Sequence, residues 1–179
     1  MVSTTDPARE TAEESRAAVH AGTRLLTGDD LFLFNEGNHF RLYEKLGAHP
    51  TLHQGRQGIH FGGWAPNAEQ VSVIGEFNGW DKTTHQLYPR EHSGIWEGFI
   101  PDLASGTLYK YHLHSRFRGY SVDKADPFAF FTELSPQTAS VAWNLSYDWN
   151  DGEWMENRKA VNGPDAPISI YEMHPGSWM

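Results

Sequence analysis

Three kinds of side chain in this 179-residue sequence could do chemistry: carboxylates, histidines and indoles. Asp123 with Asp126, or Glu133 with Asp148, could be paired on paper as general acid and base. Lone acids between strands ordinarily serve turns or face water, so no catalytic pair is assigned to them. His112 and His114 stand two residues apart, as on one face of a strand, but no third ligand follows at a metal-binding spacing. Neither a metal nor a cofactor is therefore expected. The indoles are the more informative group. Trp64, Trp80, Trp96, Trp143, Trp149, Trp154 and Trp178 make seven, more than a core of this size needs, so some are available to face a ligand.

The elements that would position these groups are mostly strands. Seventeen Gly and ten Pro among 39% hydrophobic residues indicate many turns rather than long helices. From Gly58 the sequence alternates: Ile59 and Phe61 against His60 and Gly62, then Val71 and Val73 against Ser72 and Ile74. Asn78-Gly79 is a hairpin-turn dipeptide. Further strands are predicted over 94–100, 107–114 and 138–143. In the 107–114 strand Tyr109, Tyr111 and Leu113 share one face, while Lys110, His112 and His114 share the other with Leu108. About six such strands predict a mainly β fold, an immunoglobulin-like antiparallel sandwich over 58–147. Residues 1–30 read as a helical or disordered arm, at whose end Asp29 and Asp30 cap a short turn through Leu31 and Phe34, and 31–57 as a lead-in to the sandwich. Residues 148–167 read as a linker, and Ile168, Ile170 and Tyr171 as the start of a new strand over 168–179.

Charge narrows the partners. The net charge is -9, from 14 basic and 23 acidic side chains without a basic run, which argues against nucleic acid. No apolar stretch resembles a signal peptide or a membrane span, and the lack of cysteine suits a cytoplasmic protein.

Several motifs resemble one family. Leu42-Tyr43-Glu44-Lys45-Leu46-Gly47-Ala48-His49 is similar to the lead-in of bacterial glycogen (1,4-α-glucan) branching enzymes. Trp64-Ala65-Pro66-Asn67-Ala68, Val71-Ser72-Val73-Ile74-Gly75 and Phe77-Asn78-Gly79-Trp80-Asp81 resemble the signature of their family 48 carbohydrate-binding module. Ser93-Gly94-Ile95-Trp96-Glu97, Leu108-Tyr109-Lys110-Tyr111 and Lys124-Ala125-Asp126-Pro127-Phe128 continue it in order. Asp165-Ala166-Pro167-Ile168-Ser169-Ile170-Tyr171-Glu172 and His174-Pro175-Gly176-Ser177-Trp178 resemble the opening strand of the family's catalytic (β/α)8 barrel, with Pro175 where leucine is common.

The resemblance implies an α-1,4-glucan or glycogen partner and a parent enzyme that cuts such chains and transfers them to form α-1,6 branches. It also implies that Trp80 and Lys110, at positions used for glucan contact in kinase glycogen-sensing modules, bind sugar with Asn78 beside them. Tyr171, Glu172 and His174 would brace the barrel. The nucleophilic Asp, the acid/base Glu and the third Asp of the family lie on later barrel strands and none maps onto this chain. The barrel is therefore expected beyond Met179, and the polypeptide alone is expected to be inactive. Two alternatives stand beside this reading: a stand-alone glucan-binding or regulatory module, and the front of a debranching or trehalohydrolase-type relative that shares the Trp-Ala-Pro and Phe-Asn-x-Trp signatures.

Overall fold

The computed structural model describes Val19 and residues 24–177. The helical arm expected over 1–30 therefore lies largely outside the described residues, as does Trp178. Two compact units divide the chain at Leu145 and Ser146.

In the first unit two antiparallel sheets form the expected sandwich. One sheet has the order β1-β2-β5-β4, with β1 at Gly47–His53, β2 at Arg56–Trp64, β4 at Tyr88–Pro89 and β5 at Ile95–Pro101. The other runs β3-β6-β9-β8, with β3 at Ala68–Gly75, β6 at Leu108–Ser115, β8 at Phe131–Thr132 and β9 at Ser140–Val141. β7, Ser121–Lys124, adds to the far half of β6, so β6 pairs with three strands in all. Ile59, Phe61, Val71, Val73, Ile100, Tyr109 and Tyr111 meet between the sheets. The alternation read from the sequence thus separates the inward tyrosines of β6 from the outward Lys110 and His112, as one buried and one wet face require.

The sandwich begins earlier than expected. β1 falls within the 31–57 lead-in and pairs along its whole length with β2, from Gly47↔Gly62 to His53↔Arg56. The two residues between, Gln54 and Gly55, both have positive φ, +49° and +77°, which suits a two-residue hairpin and matches the twist of the strands it joins.

A second apolar cluster covers the outer face of the first sheet. Leu26, Leu31, Leu46 and Ile95 pack there with Phe34, Leu42 and Phe128. Leu31 and Phe34 come from a short helix, α1, Gly28–Asn35. Its cap is Thr27, not the expected Asp29 or Asp30. The Thr27 hydroxyl accepts from the Asp30 main-chain N–H at 3.1 Å, and the Asp30 carboxylate accepts from the Thr27 N–H at 2.8 Å, a reciprocal capping box. Asp30 also meets His39 Nε2 at 2.9 Å and Lys45 Nζ at 3.1 Å. Burial works against its charge, but the Thr27 N–H, His39, the Thr27 hydroxyl and Lys45 together hold the carboxyl well below the usual range.

The second unit, 146–179, differs from expectation at two places. A helix, α2, occupies Gly152–Val161 where a linker was expected. Residues 168–174 form no strand, and among the described residues no ladder pairs with them. A barrel strand is held by hydrogen bonds to neighbours on both sides, and alternating Ile168 and Ile170 cannot supply those by themselves. Tyr171 and Ile170 are accordingly exposed.

Candidate carbohydrate site

The outer face of the second sheet gathers the residues singled out for sugar binding. β3 ends at Gly75, and a tight 3-10 turn over Glu76–Asn78 leads into Gly79 and Trp80. Both have φ of +61°, a left-handed conformation that costs a tryptophan about 1–2 kcal/mol. The main-chain N–H of Trp80 donates to the Gly75 carbonyl at 2.8 Å and helps hold it there. Beyond the turn the chain runs back along β3, with Ser72 bridging to Gln86, before crossing to the first sheet as β4.

Asn78 builds this turn. Its Oδ1 accepts from the Gly75 N–H at 3.0 Å, while Nδ2 reaches the Val73 carbonyl and His85 Nδ1, both at 3.1 Å. With its amide engaged in this way, Asn78 braces the loop that carries Trp80.

Trp80 and Lys110 do come together. Lys110 projects from the outer face of β6, and its Nζ lies 6.0 Å from the centre of the Trp80 ring, within cation–π range. The same ammonium donates to Thr138 Oγ1 at 2.7 Å. Trp80 keeps 37% of its surface exposed, which leaves indole area accessible beside a fixed cation and a hydroxyl. Thr138 escaped the sequence reading, for which it was only the start of a strand; its place across from Lys110 depends on the pairing of β6 with β9.

His112 and Asp123 flank the pair. His112 Nδ1 sits 2.6 Å from Asp123 Oδ1, and Lys82 Nζ sits 3.1 Å from Asp123 Oδ2. Although burial raises its pKa, hydrogen bonds from His112 and Lys82 hold Asp123 below its ordinary value. His114 Nδ1 pairs instead with Ser121 Oγ at 2.8 Å. The two histidines thus tie β6 to β7, and among the described residues no group of three or more His, Cys, Asp or Glu could hold a metal ion.

The acids considered for catalysis have separate duties. Asp123 lies on the outer face, while Asp126 is buried and shapes the turn that follows it. Asp126 accepts from the Tyr109 hydroxyl at 2.7 Å and from the Phe128 N–H at 2.8 Å, and its own N–H donates to Ser140 Oγ. Burial raises its carboxyl, with the Tyr109 and Phe128 hydrogen bonds pulling the other way. Asp126→Ala would orphan the fully buried Tyr109 hydroxyl and is expected to cost about 2–4 kcal/mol in urea unfolding. A loss below about 1 kcal/mol would show that the loop closes without it. Glu133 accepts from the Ala139 N–H at 2.9 Å and shapes the turn before β9. Of the expected barrel supports, His174 Nδ1 meets Ser177 Oγ at 3.1 Å within a short 3-10 turn, and Tyr171 and Glu172 lie in the irregular stretch before it.

The two-sheet domain presents an indole, an ammonium and a hydroxyl on its outer face, and its residues 45–129 match carbohydrate-binding module 48 (isoamylase N-terminal domain). The chain is similar to bacterial 1,4-alpha-glucan branching enzymes GlgB. It is 51% identical over 157 residues to that of Gloeobacter violaceus, covering 87% of this chain and 21% of the relative. Over 155 residues it is 50% identical to those of Rubrobacter xylanophilus and Aquifex aeolicus, covering 86% of this chain and 21% and 24% of theirs. The chain therefore spans about a fifth to a quarter of the length of these relatives. A solved pullulanase of Klebsiella pneumoniae complexed with maltotriose is similar at a TM-score of 0.44 and 22% identity, over 56% of this chain and 10% of that one. No helix among the described residues is long and apolar enough to cross a membrane.

Proposed function

We propose that this chain is the glucan-binding front of a cytoplasmic 1,4-α-glucan branching enzyme, and that the outer face around Trp80 and Lys110 holds an α-1,4-glucan. The observation that carries the reading is the Lys110 ammonium 6.0 Å from the ring of an indole whose backbone is held left-handed. Strain of this kind persists where the surroundings enforce it and commonly accompanies function. An indole face stacks on the apolar C–H face of a glucose ring, and Lys110 with Thr138 supplies donors and an acceptor for its hydroxyls.

Bond cleavage with retention needs two carboxyl groups about 5 Å apart on one sugar. Asp123 and Asp126 face opposite sides of the sheet and are each committed elsewhere, which supports assigning the catalytic acids to the part of the protein these 179 residues do not include. In that assignment Tyr171, Glu172 and His174 gain strand neighbours from the barrel and support its site.

Calorimetric titration of maltoheptaose tests the reading. Trp80→Ala is expected to weaken binding about tenfold or more, since it removes one stacked ring and the partner of Lys110. Equal affinity in the variant removes Trp80 from the site. Formation of α-1,6 branches from amylose by the purified chain would overturn the assignment of catalysis elsewhere.

A further inference from the structure

The face that carries Trp80 and Lys110 does not end there. Leu108 lies two residues before Lys110 on the same side of β6, and it pairs with Val141 of β9, which pairs in turn with Phe131 of β8. Across antiparallel ladders directly paired residues share a face, so Leu108, Val141 and Phe131 form a row beside Lys110. Trp143, two residues past Val141, joins the row: its ring centre lies 5.3 Å from that of Phe131, with the planes tilted by 45°. Phe131 is 52% exposed and Trp143 45%, whereas Val141 beneath them is buried. The inner side of the same strands is distinct, with Ala142 in the sandwich core and Ser140 against Asp126.

Strand geometry sets the separation. Phe131 is two strands across and one pleat along from Lys110, about 9–10 Å by about 7 Å, or about 12 Å in all. The segment 138–143 links the two places, with Thr138 on Lys110 at one end and Trp143 on Phe131 at the other. No charged side chain belongs to the row of Leu108, Val141, Phe131 and Trp143, so the patch suits an uncharged occupant.

We infer that Phe131 and Trp143 form a second aromatic platform for the same glucan, engaged only by chains long enough to extend from Trp80 across Leu108. The inference rests on the Trp80–Lys110 reading and adds a length preference to it. A short oligosaccharide is held at Trp80 and Lys110 alone, and a longer one gains a second stack. The occupant follows from continuity with that site and from the lack of charge in the row.

Titrating maltotriose and maltoheptaose in parallel against wild type, Trp80→Ala, Trp143→Ala and Phe131→Ala tests it. Trp143→Ala and Phe131→Ala are expected to weaken maltoheptaose about three- to tenfold and to leave maltotriose unchanged, whereas Trp80→Ala weakens both. Trp143→Phe, which keeps a ring, is expected to retain most of the maltoheptaose affinity. If both platform variants bind maltoheptaose like wild type while Trp80→Ala is impaired, the platform is refuted and the Trp80 site stands. If Trp80→Ala is unimpaired but the platform variants lose maltoheptaose, the Trp80 reading fails instead and the platform binds by itself. Equal losses for both sugars, with a lowered melting temperature, identify a packing role and overturn the inference. So does a change in sedimentation without a change in sugar affinity, which marks the patch as a protein contact.

Discussion

Replacing Glu97 by alanine is expected to lower the stability of the sandwich by about 3–5 kcal/mol in urea unfolding at neutral pH, the largest loss for any single exposed or buried acid discussed above. Glu97 is only 2% exposed, on the outer face of the first sheet beneath the Leu26 cluster. Its Oε2 accepts from His60 Nε2 at 3.0 Å and from the main-chain N–H groups of Leu25 and Leu26 at 3.2 and 3.4 Å. Its Oε1 is paired with the buried guanidinium of Arg90, which also donates to the Leu26 carbonyl at 3.0 Å. One carboxylate thus fastens the segment entering α1 to the sheet. Its removal leaves a buried cation uncompensated and two amides without an acceptor. Glu97→Gln keeps an acceptor but loses the charge, and is expected to lose less. A loss under about 1 kcal/mol for the alanine variant would mean that Arg90 escapes to water and that the cluster is not a fastening.

The second large effect is a loss of stability in mild acid, at His60 in the same cluster. Burial, aided by the positive charge of Arg90, pushes the imidazole down to about 4. Arg90 and the two amides already satisfy Glu97, so its charge does not draw a second proton onto the ring. In the unfolded chain a histidine titrates near pH 6.5, so between about 6.5 and 4 the unfolded state binds a proton that the folded state refuses. The stability present above pH 6.5 is therefore lost as pH falls through that window, by on the order of 3 kcal/mol from this residue. His49, also lowered by burial, acts in the same direction, whereas Asp126, raised by burial, acts against it. The lowered Asp30 contributes only further down, below the unfolded carboxyl range. Comparing the slope of stability against pH for wild type and His60→Gln isolates the residue, because glutamine does not titrate. Identical slopes between pH 6.5 and 4.5 would show that His60 is not the cause.

Sequence pattern was the best guide to β6, which has one wet face, and β2, β3 and β5 were legible from their apolar runs and flanking turn residues although both of their faces are largely covered. β1 was not, because Gly47–His53 contains a proline and both its faces are partly covered, and because Gln54-Gly55 lacks the usual Asn or Asp of its turn type. The short strands β4, β7 and β8 were missed for a simpler reason: two to four residues carry no period. Trp80 and Lys110 could be named from their motifs, but their juxtaposition depends on a turn between β3 and β4 and on a separate strand, β6. The bracing hydrogen bonds of Asn78 were not legible, because a motif shows which residues recur and not which way an amide points. The Glu97 cluster was invisible, since its members lie up to 72 residues apart and each reads alone as a surface charge. The helix at Gly152–Val161 is mostly polar and buries none of its few apolar residues, which gave periodicity little to detect.

Val19 sits in the sandwich core beside Leu87, and its Cγ1 fills the space that a side chain at position 98 would need, 2.4 Å from where a Cβ on Gly98 would stand. Together with Leu25 and Leu26 on Glu97, it shows that these described residues ahead of α1 are packed into the domain. The packed domain is therefore larger than the recurrent 45–129 segment, and trimming to those boundaries is expected to leave a notch at Gly98 and to strip Leu25 and Leu26 from Glu97.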